Sequence, residues 1–174
     1  MKDKIKTNNI RFEQLKSGNA ISFSGIIYTV RDQAHKRLIT DLKKGKKLPF
    51  DIKGAVIYYC GPTKAPQGKV IGSCGPTTSS RMDEFTPFLL QKGLKGMIGK
   101  GRRSKDVIAA IKKYKGVYFL ASAGCGALIS KYVKKAEQVA YADLGPEQIL
   151  RLKVENLPLI VAIDSRGRSI YGKD

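Results

Sequence analysis

The chain predicts an α/β fold: one mixed sheet with flanking helices. Three observations lead there. Short β-branched or aromatic runs alternate with stretches of helical periodicity. Glycine-rich turns follow several of those runs. The apolar share of 42% across 174 residues is enough to build a packed core. The simplest organisation is a single domain over residues 1–174, with its patterned core from about 22 to 171.

Ser22 to Val30 (SFSGIIYTV) reads as the first strong strand. Arg31 to Lys44 follows, with Ala34, Leu38 and Leu42 four apart on one helical stripe and Gly45 as the stop. Ala55 to Tyr59 (AVIYY) is a continuous run of the buried-strand kind. Cys60-Gly61-Pro62 breaks it, and Lys69 to Ser73 is expected to resume extended structure. Ser79 or Ser80 caps the next helix, with Ser80-x-x-Asp83 as a weaker version of the Ser-x-x-Glu capping box. That helix runs to Gln91 and stops at Gly93, and Pro87 inside it predicts a kink or early break. Gly96 to Gly99 is a short strand. Ser104 caps a helix through Tyr114, with Val107, Ile111 and Tyr114 on one face. Val117 to Ala121, Ala136 to Tyr141 and Leu159 to Asp164 are the remaining strands, with Glu147 to Glu155 expected to be helical. One local duplication stands out, Cys60-Gly-Pro-Thr63 recurring as Cys74-Gly-Pro-Thr77.

The formal charge is +19, a field that attracts polyanions, acidic partners or small anionic substrates alike. No zinc finger, arginine-rich arm or aromatic RNA-binding strand accompanies it, so charge alone does not indicate nucleic acid. No apolar run of membrane-spanning length occurs, and Met1 to Ile10 lacks the apolar core of a secretory signal. A cytoplasmic protein is expected. Cys60, Cys74 and Cys125 make an odd count with spacings that match no compact metal motif, and small reduced packing thiols are the expectation.

Gly75-Pro76-Thr77-Thr78-Ser79-Ser80-Arg81-Met82-Asp83 is the most informative stretch. A turn feeds four hydroxyls into a helix start, where free N–H groups can seat an anion and Arg81 can add a bidentate fork. Capping with a solvated Arg81 is the plainer alternative. Lys100-Gly101-Arg102-Arg103-Ser104 repeats the logic, with Lys100 at a strand end and glycine permitting close approach; an exposed basic turn is the plainer reading. Arg31-Asp32-Gln33-Ala34-His35 opens a helix directly after a strand. Asp32 suits the first helical turn, and His35, the sole histidine, is a candidate proton carrier or ion-pair partner. Three strand-to-helix junctions therefore each offer a cation, which suits a small dianion. No ordinary general base or nucleophile elbow accompanies them, so the chain reads as half of an active site.

Five ordered motifs resemble a known family: Tyr28-Thr-Val-Arg31-Asp32-x-Ala34-His35-Lys36, Tyr59-Cys-Gly61-Pro62, Gly72-x-x-Gly75-Pro76-Thr77-Thr78-x-x-Arg81-Met82-Asp83, Lys100-Gly101-x-Arg103-Ser104 and Glu155-x-x-Pro158-x-Ile160-Val161-x-x-Asp164. Together they resemble the β subunit of class I fumarate hydratases and L(+)-tartrate dehydratases. The resemblance implies a swivelling β/β/α domain and a partner α subunit that holds a [4Fe–4S] cluster, with no cluster ligand on this chain. It further implies hydration or dehydration of a 2-hydroxy-dicarboxylate, fumarate/malate first and tartrate next, by an (αβ)2 assembly inactive without its partner. On this sequence the matching positions are Arg31, Arg81 and Lys100 for substrate carboxylates and Thr77 for the catalytic base or a positioning hydroxyl. Thr78, Asp32 and His35 stand beside them. Cys125 falls in the family's small-residue turn and has no assigned role. A basic module binding nucleic acid or another anion without catalysis is the competing reading.

Overall fold

A computed structural model describes residues 5–7 and 11–172. In chain order it contains β1 (Ile5–Thr7), β2 (Ala20–Thr29), α1 (Asp32–Lys43), β3 (Val56–Tyr58), α2 (Thr86–Gln91) and β4 (Gly96–Gly99). Then follow α3 (Lys105–Tyr114), β5 (Val117–Leu120), α4 (Gly126–Ser130), β6 (Val133–Ala140) and β7 (Ile149–Ile163). The α/β class with a mixed sheet and flanking helices agrees with the sequence reading. Strands β2, β3, β4 and β5 run parallel in that order. The long β7 then pairs antiparallel with both β5 and β2, which closes the sheet into a barrel-like ring. β1 adds to β2, and β6 to β7. Closure gives the ring strands backbone partners on both sides and removes the free edge that would invite aggregation.

Period-two side-chain alternation sorts the strands between two cores. Ile57 and Tyr59 join a cluster with Ala34 and Leu38 of α1, Leu89 of α2 and Ile111 of α3. Val56 and Tyr58 point the other way, into a cluster with Ile27, Ile98, Phe119, Leu152 and Val161. The near-continuous apolar run at 55–59 follows from this two-sided burial. Helix α1 buries Ala34 and Leu38 and gives way at Gly45, whose φ of 69° lies in the left-handed region open to glycine. Ser104 Oγ caps α3 by accepting from Val107 N at 3.4 Å.

Three expectations need correction. The helix expected over Glu147–Glu155 does not form, and from Ile149 onward the stretch is strand β7. The alternation Leu152 buried, Lys153 exposed, Val154 buried is the strand signal, and a bulge at Asn156 (φ 56°) interrupts it before it resumes at Leu157. Lys69–Ser73 forms no ladder; the segment is irregular and held through Thr63, whose N donates to Ser73 O and whose Oγ1 accepts from Ser73 N. The stretch after Thr78 is a 3-10 turn (Ser79–Met82) and then α2, with Pro87 in the first turn of the latter, so the chain breaks where proline requires it. No side-chain cap forms there: Asp83 turns away from Ser80 to accept from Arg103 and Ser104.

Candidate functional site

The parallel strands β2–β5 end together, and the junctions that follow them cluster at one end of the ring. In open α/β sheets this is the end that meets ligands, and the ring inherits the geometry. The Gly75–Ser79 segment is threaded across it. Thr77 N donates to Tyr59 O at 2.6 Å, Thr78 bridges Lys100, Ser79 N donates to Lys100 O at 2.9 Å, and Cys74 N donates to Gly126 O at 3.2 Å. Glycine makes the threading possible, since a Cβ on Gly99 would lie 1.9 Å from Ser79 Oγ.

Arg31 leaves the end of β2 and lies over Gly61, where a Cβ would sit 2.8 Å from its Nη1. Its Nε pairs with Asp32 Oδ2 at 3.1 Å and approaches Glu147 Oε1 at 3.5 Å. Arg81 reaches the same carboxylate from the other side, Nε to Oδ1 at 2.9 Å and Nη2 to Oδ2 at 2.8 Å. Arg31 and Arg81 therefore converge on Asp32. Burial alone would raise the Asp32 carboxyl, but the Arg31 hydrogen bond and the two guanidinium charges outweigh it and hold it below the usual carboxylate range. Lys100 is joined to the cluster through the backbone of Thr78 and Ser79, and among the described residues no ion pair engages its ammonium. Thr77 is half-buried and Thr78 exposed at the rim. The result is an open shelf, with the Arg81 side chain 51% exposed.

His35 is placed differently. It points from α1 into the core, between the rings of Tyr59 and Phe85, fully buried. Burial pushes its pKa down to about 4 against an opposing pull from the Arg31 backbone, and among the described residues neither ring nitrogen has a hydrogen-bond partner of normal geometry. It is a neutral packing residue one helical turn behind the shelf, and does not face it.

Arg103, absent from the candidate residues above, is the group beneath the shelf. Its side chain is fully buried; Nε donates to Asp83 Oδ1 at 2.7 Å, Nη2 to Thr86 Oγ1 at 2.7 Å and Nη1 to Tyr59 Oη at 3.3 Å. The rings of Tyr59 and Tyr118 lie 5.2 and 5.0 Å from its guanidinium carbon. Asp83 also accepts from Ser104 N, and Tyr118 Oη donates to Gly101 O and accepts from Ser79 Oγ, both at 2.9 Å. These bonds clamp the Thr77–Asp83 turn to the Lys100–Ser104 turn. No local sequence signal marked Arg103, because Asp83 lies 20 residues away and the two meet only through the fold.

The cysteines divide. Cys60 and Cys74 are buried, and Cys60 is held protonated by its hydrogen bond with Cys74 and by burial, while Cys125 is partly exposed. Asp164, the last residue of the fifth motif, accepts from Ser17, Arg166 and Arg168 backbone N–H groups and from Arg168 Nε, so it pins the turn after β7. Among the described residues, no helix is long and apolar enough to cross a membrane.

Comparison with known proteins places these features in context. A family model described as Fumarase C-terminus matches residues 2–174. A Methanocaldococcus jannaschii protein, provisionally named L(+)-tartrate dehydratase subunit beta, is 41% identical over 91% of this chain and 85% of its own length. The Escherichia coli (strain K12) protein named L(+)-tartrate dehydratase subunit beta is 35% identical over 98% of this chain and 88% of its own. Fumarate hydratase 1, mitochondrial, of Leishmania major is 40% identical over 87% of this chain, which spans only 28% of that longer protein.

Proposed function

The chain belongs to the fumarase C-terminus family, and from that premise we propose that it is the β subunit of a two-component hydro-lyase acting on a 2-hydroxy-dicarboxylate. The observation that carries the reading is the convergence of Arg31 and Arg81 on one carboxylate, beside Lys100 and Thr77, at the end of the ring where the parallel strands terminate. Their pairing with Asp32 supports a carboxylate as the group they would hold. A substrate carboxylate would take the same bidentate fork from Arg81, while Lys100 would meet the second carboxylate. The swivelling β/β/α assignment belongs to the same proposal and is supported by the closed mixed sheet with helices packed on its outer face.

The open shelf is completed, in this reading, by a cytoplasmic partner α subunit in an (αβ)2 assembly. A [4Fe–4S] cluster would be held by that subunit. On this chain Cys60 and Cys74 are packed in the core, and the reading gives them no ligand role. When bound, the cluster supplies Lewis-acid chemistry at the substrate hydroxyl. This chain's part is to orient the dicarboxylate and to stabilise charge on it. Removing the proton next to a carboxylate shifts negative charge onto that carboxylate's oxygens. Preset Arg and Lys donors stabilise that charge where it forms. Thr77 stands at the rim with its backbone fixed by Tyr59. Its hydroxyl is assigned the proton-abstracting position, which requires the surrounding cations to acidify it.

Fumarate/malate is the first substrate pair and tartrate the second; the relatives of matching length carry tartrate dehydratase names, which keeps the second in view. The test is anaerobic co-expression with the α subunit and assay of water loss from malate and from tartrate. Activity on one of them, absent from either subunit alone, is expected. An assembled complex inert on both would refute the reading.

A further inference from the structure

Away from the shelf, a cavity of about 700 Å³ opens between α3 and the turn that follows β7. Lys105 and Lys112 stand on one wall and Arg166 and Arg168 on the other, and no acidic side chain lines it among the described residues. Lys105, Lys112 and Arg166 have no ion pair among the described residues. Arg168 spends only its Nε on Asp164, which leaves its terminal N–H groups to donate elsewhere. Like charges gathered on facing walls repel one another, and an anion between them converts that repulsion into attraction.

Two further features narrow the ligand. Ile108 and Ile163 provide apolar surface, and the Tyr171 ring lies at the cavity with the Arg102 guanidinium 5.1 Å from its centroid. A flat ring can stack on such a surface, and the volume is that of sites for molecules much larger than a lone phosphate. We propose that this cavity binds a nucleoside triphosphate, its phosphates gripped by Lys105, Lys112, Arg166 and Arg168 and its base laid against Tyr171. The site is independent of the hydro-lyase reading, because neither Arg31, Arg81, Lys100 nor Thr77 lines it.

The test titrates the full chain with ATP, inorganic triphosphate and adenosine by calorimetry. It compares wild type with the Lys112→Glu/Arg166→Glu pair and with Lys131→Glu/Lys134→Glu, a pair outside the cavity that lowers net charge equally. Melting curves establish that each variant folds; if the reversal does not, Lys112→Gln/Arg166→Gln is compared with Lys131→Gln/Lys134→Gln instead. Saturable one-to-one ATP binding is expected, weakened about tenfold or more by the cavity pair and only slightly by the control pair, and reduced by salt. The proposal is overturned by absent saturation, by equal losses in both pairs, or by inorganic triphosphate binding as tightly as ATP. It is also overturned if the cavity pair leaves ATP binding intact but blocks assembly with the α subunit, which would make the cavity a protein-docking seat.

Discussion

Two arginine–aspartate pairs flank the same loop, and they are built to opposite ends. Arg81 with Asp32 is open, its side chain 51% exposed; Arg103 with Asp83 is sealed, its side chain 0% exposed and ringed by Tyr59, Tyr118 and Thr86. An open pair gains little over water and can be exchanged. A sealed pair cannot lose a partner without stranding a buried charge, so it fixes geometry. The loop from Gly75 to Asp83 thus has one arginine for holding and one free to trade its carboxylate for a ligand's.

Breaking the sealed pair has the largest expected effect. Asp83→Ala leaves the buried Arg103 guanidinium without its anion and should cost about 3–5 kcal/mol of stability, a drop in Tm of roughly 6–20 °C on thermal unfolding. A loss under about 1 kcal/mol would show that burial does not distinguish the pairs. Arg81→Ala should do the reverse: less than about 1 kcal/mol in stability, and about a hundredfold loss of kcat/KM in the assembled enzyme.

His35 sharpens the contrast within α1, whose first turn faces the shelf at Asp32 and the core at His35. With its pKa depressed to about 4 from 6.5, His35 contributes stability that is full above pH 6.5 and declines as pH falls toward 4, because only the unfolded chain is protonated there. His35→Phe should flatten that acid decline in denaturant unfolding while leaving turnover intact; abolished turnover in a folded, assembled variant would return His35 to the site. The smallest effect belongs to Asp32→Asn. It weakens the internal carboxylate that a ligand must displace from Arg81 and should lower KM by about three- to fivefold, with kcat within about twofold and stability within about 0.5 kcal/mol.

The same division explains what the sequence could disclose. Buried runs such as Ala55–Tyr59, and punctuation such as Ser104 and Gly45, are local signals, and the strands and helices they mark stand where they were expected. The stretch 150–155 misled because its charged residues suited a helix surface, and only the partners in β2 and β6 select the strand. The positions of Arg31, Arg81 and Lys100 at one end of the ring could be foreseen because each follows a strand or opens a helix. The place of Arg103 could not, since a buried guanidinium and a solvated one look alike until Asp83, Tyr59 and Tyr118 are brought around it from separate elements. Asp83 was read as a local cap for the same reason: its partner lies 20 residues away.

The central claim is that the open pair is a carboxylate seat, and binding tests it more directly than turnover. Succinate, a dicarboxylate with no water to lose, can be titrated into the anaerobically assembled complex of wild type and of Arg81→Ala. The account expects saturable binding by wild type and about a hundredfold weaker binding by the variant, with assembly and Tm unchanged. Equal affinity in the two would contradict it.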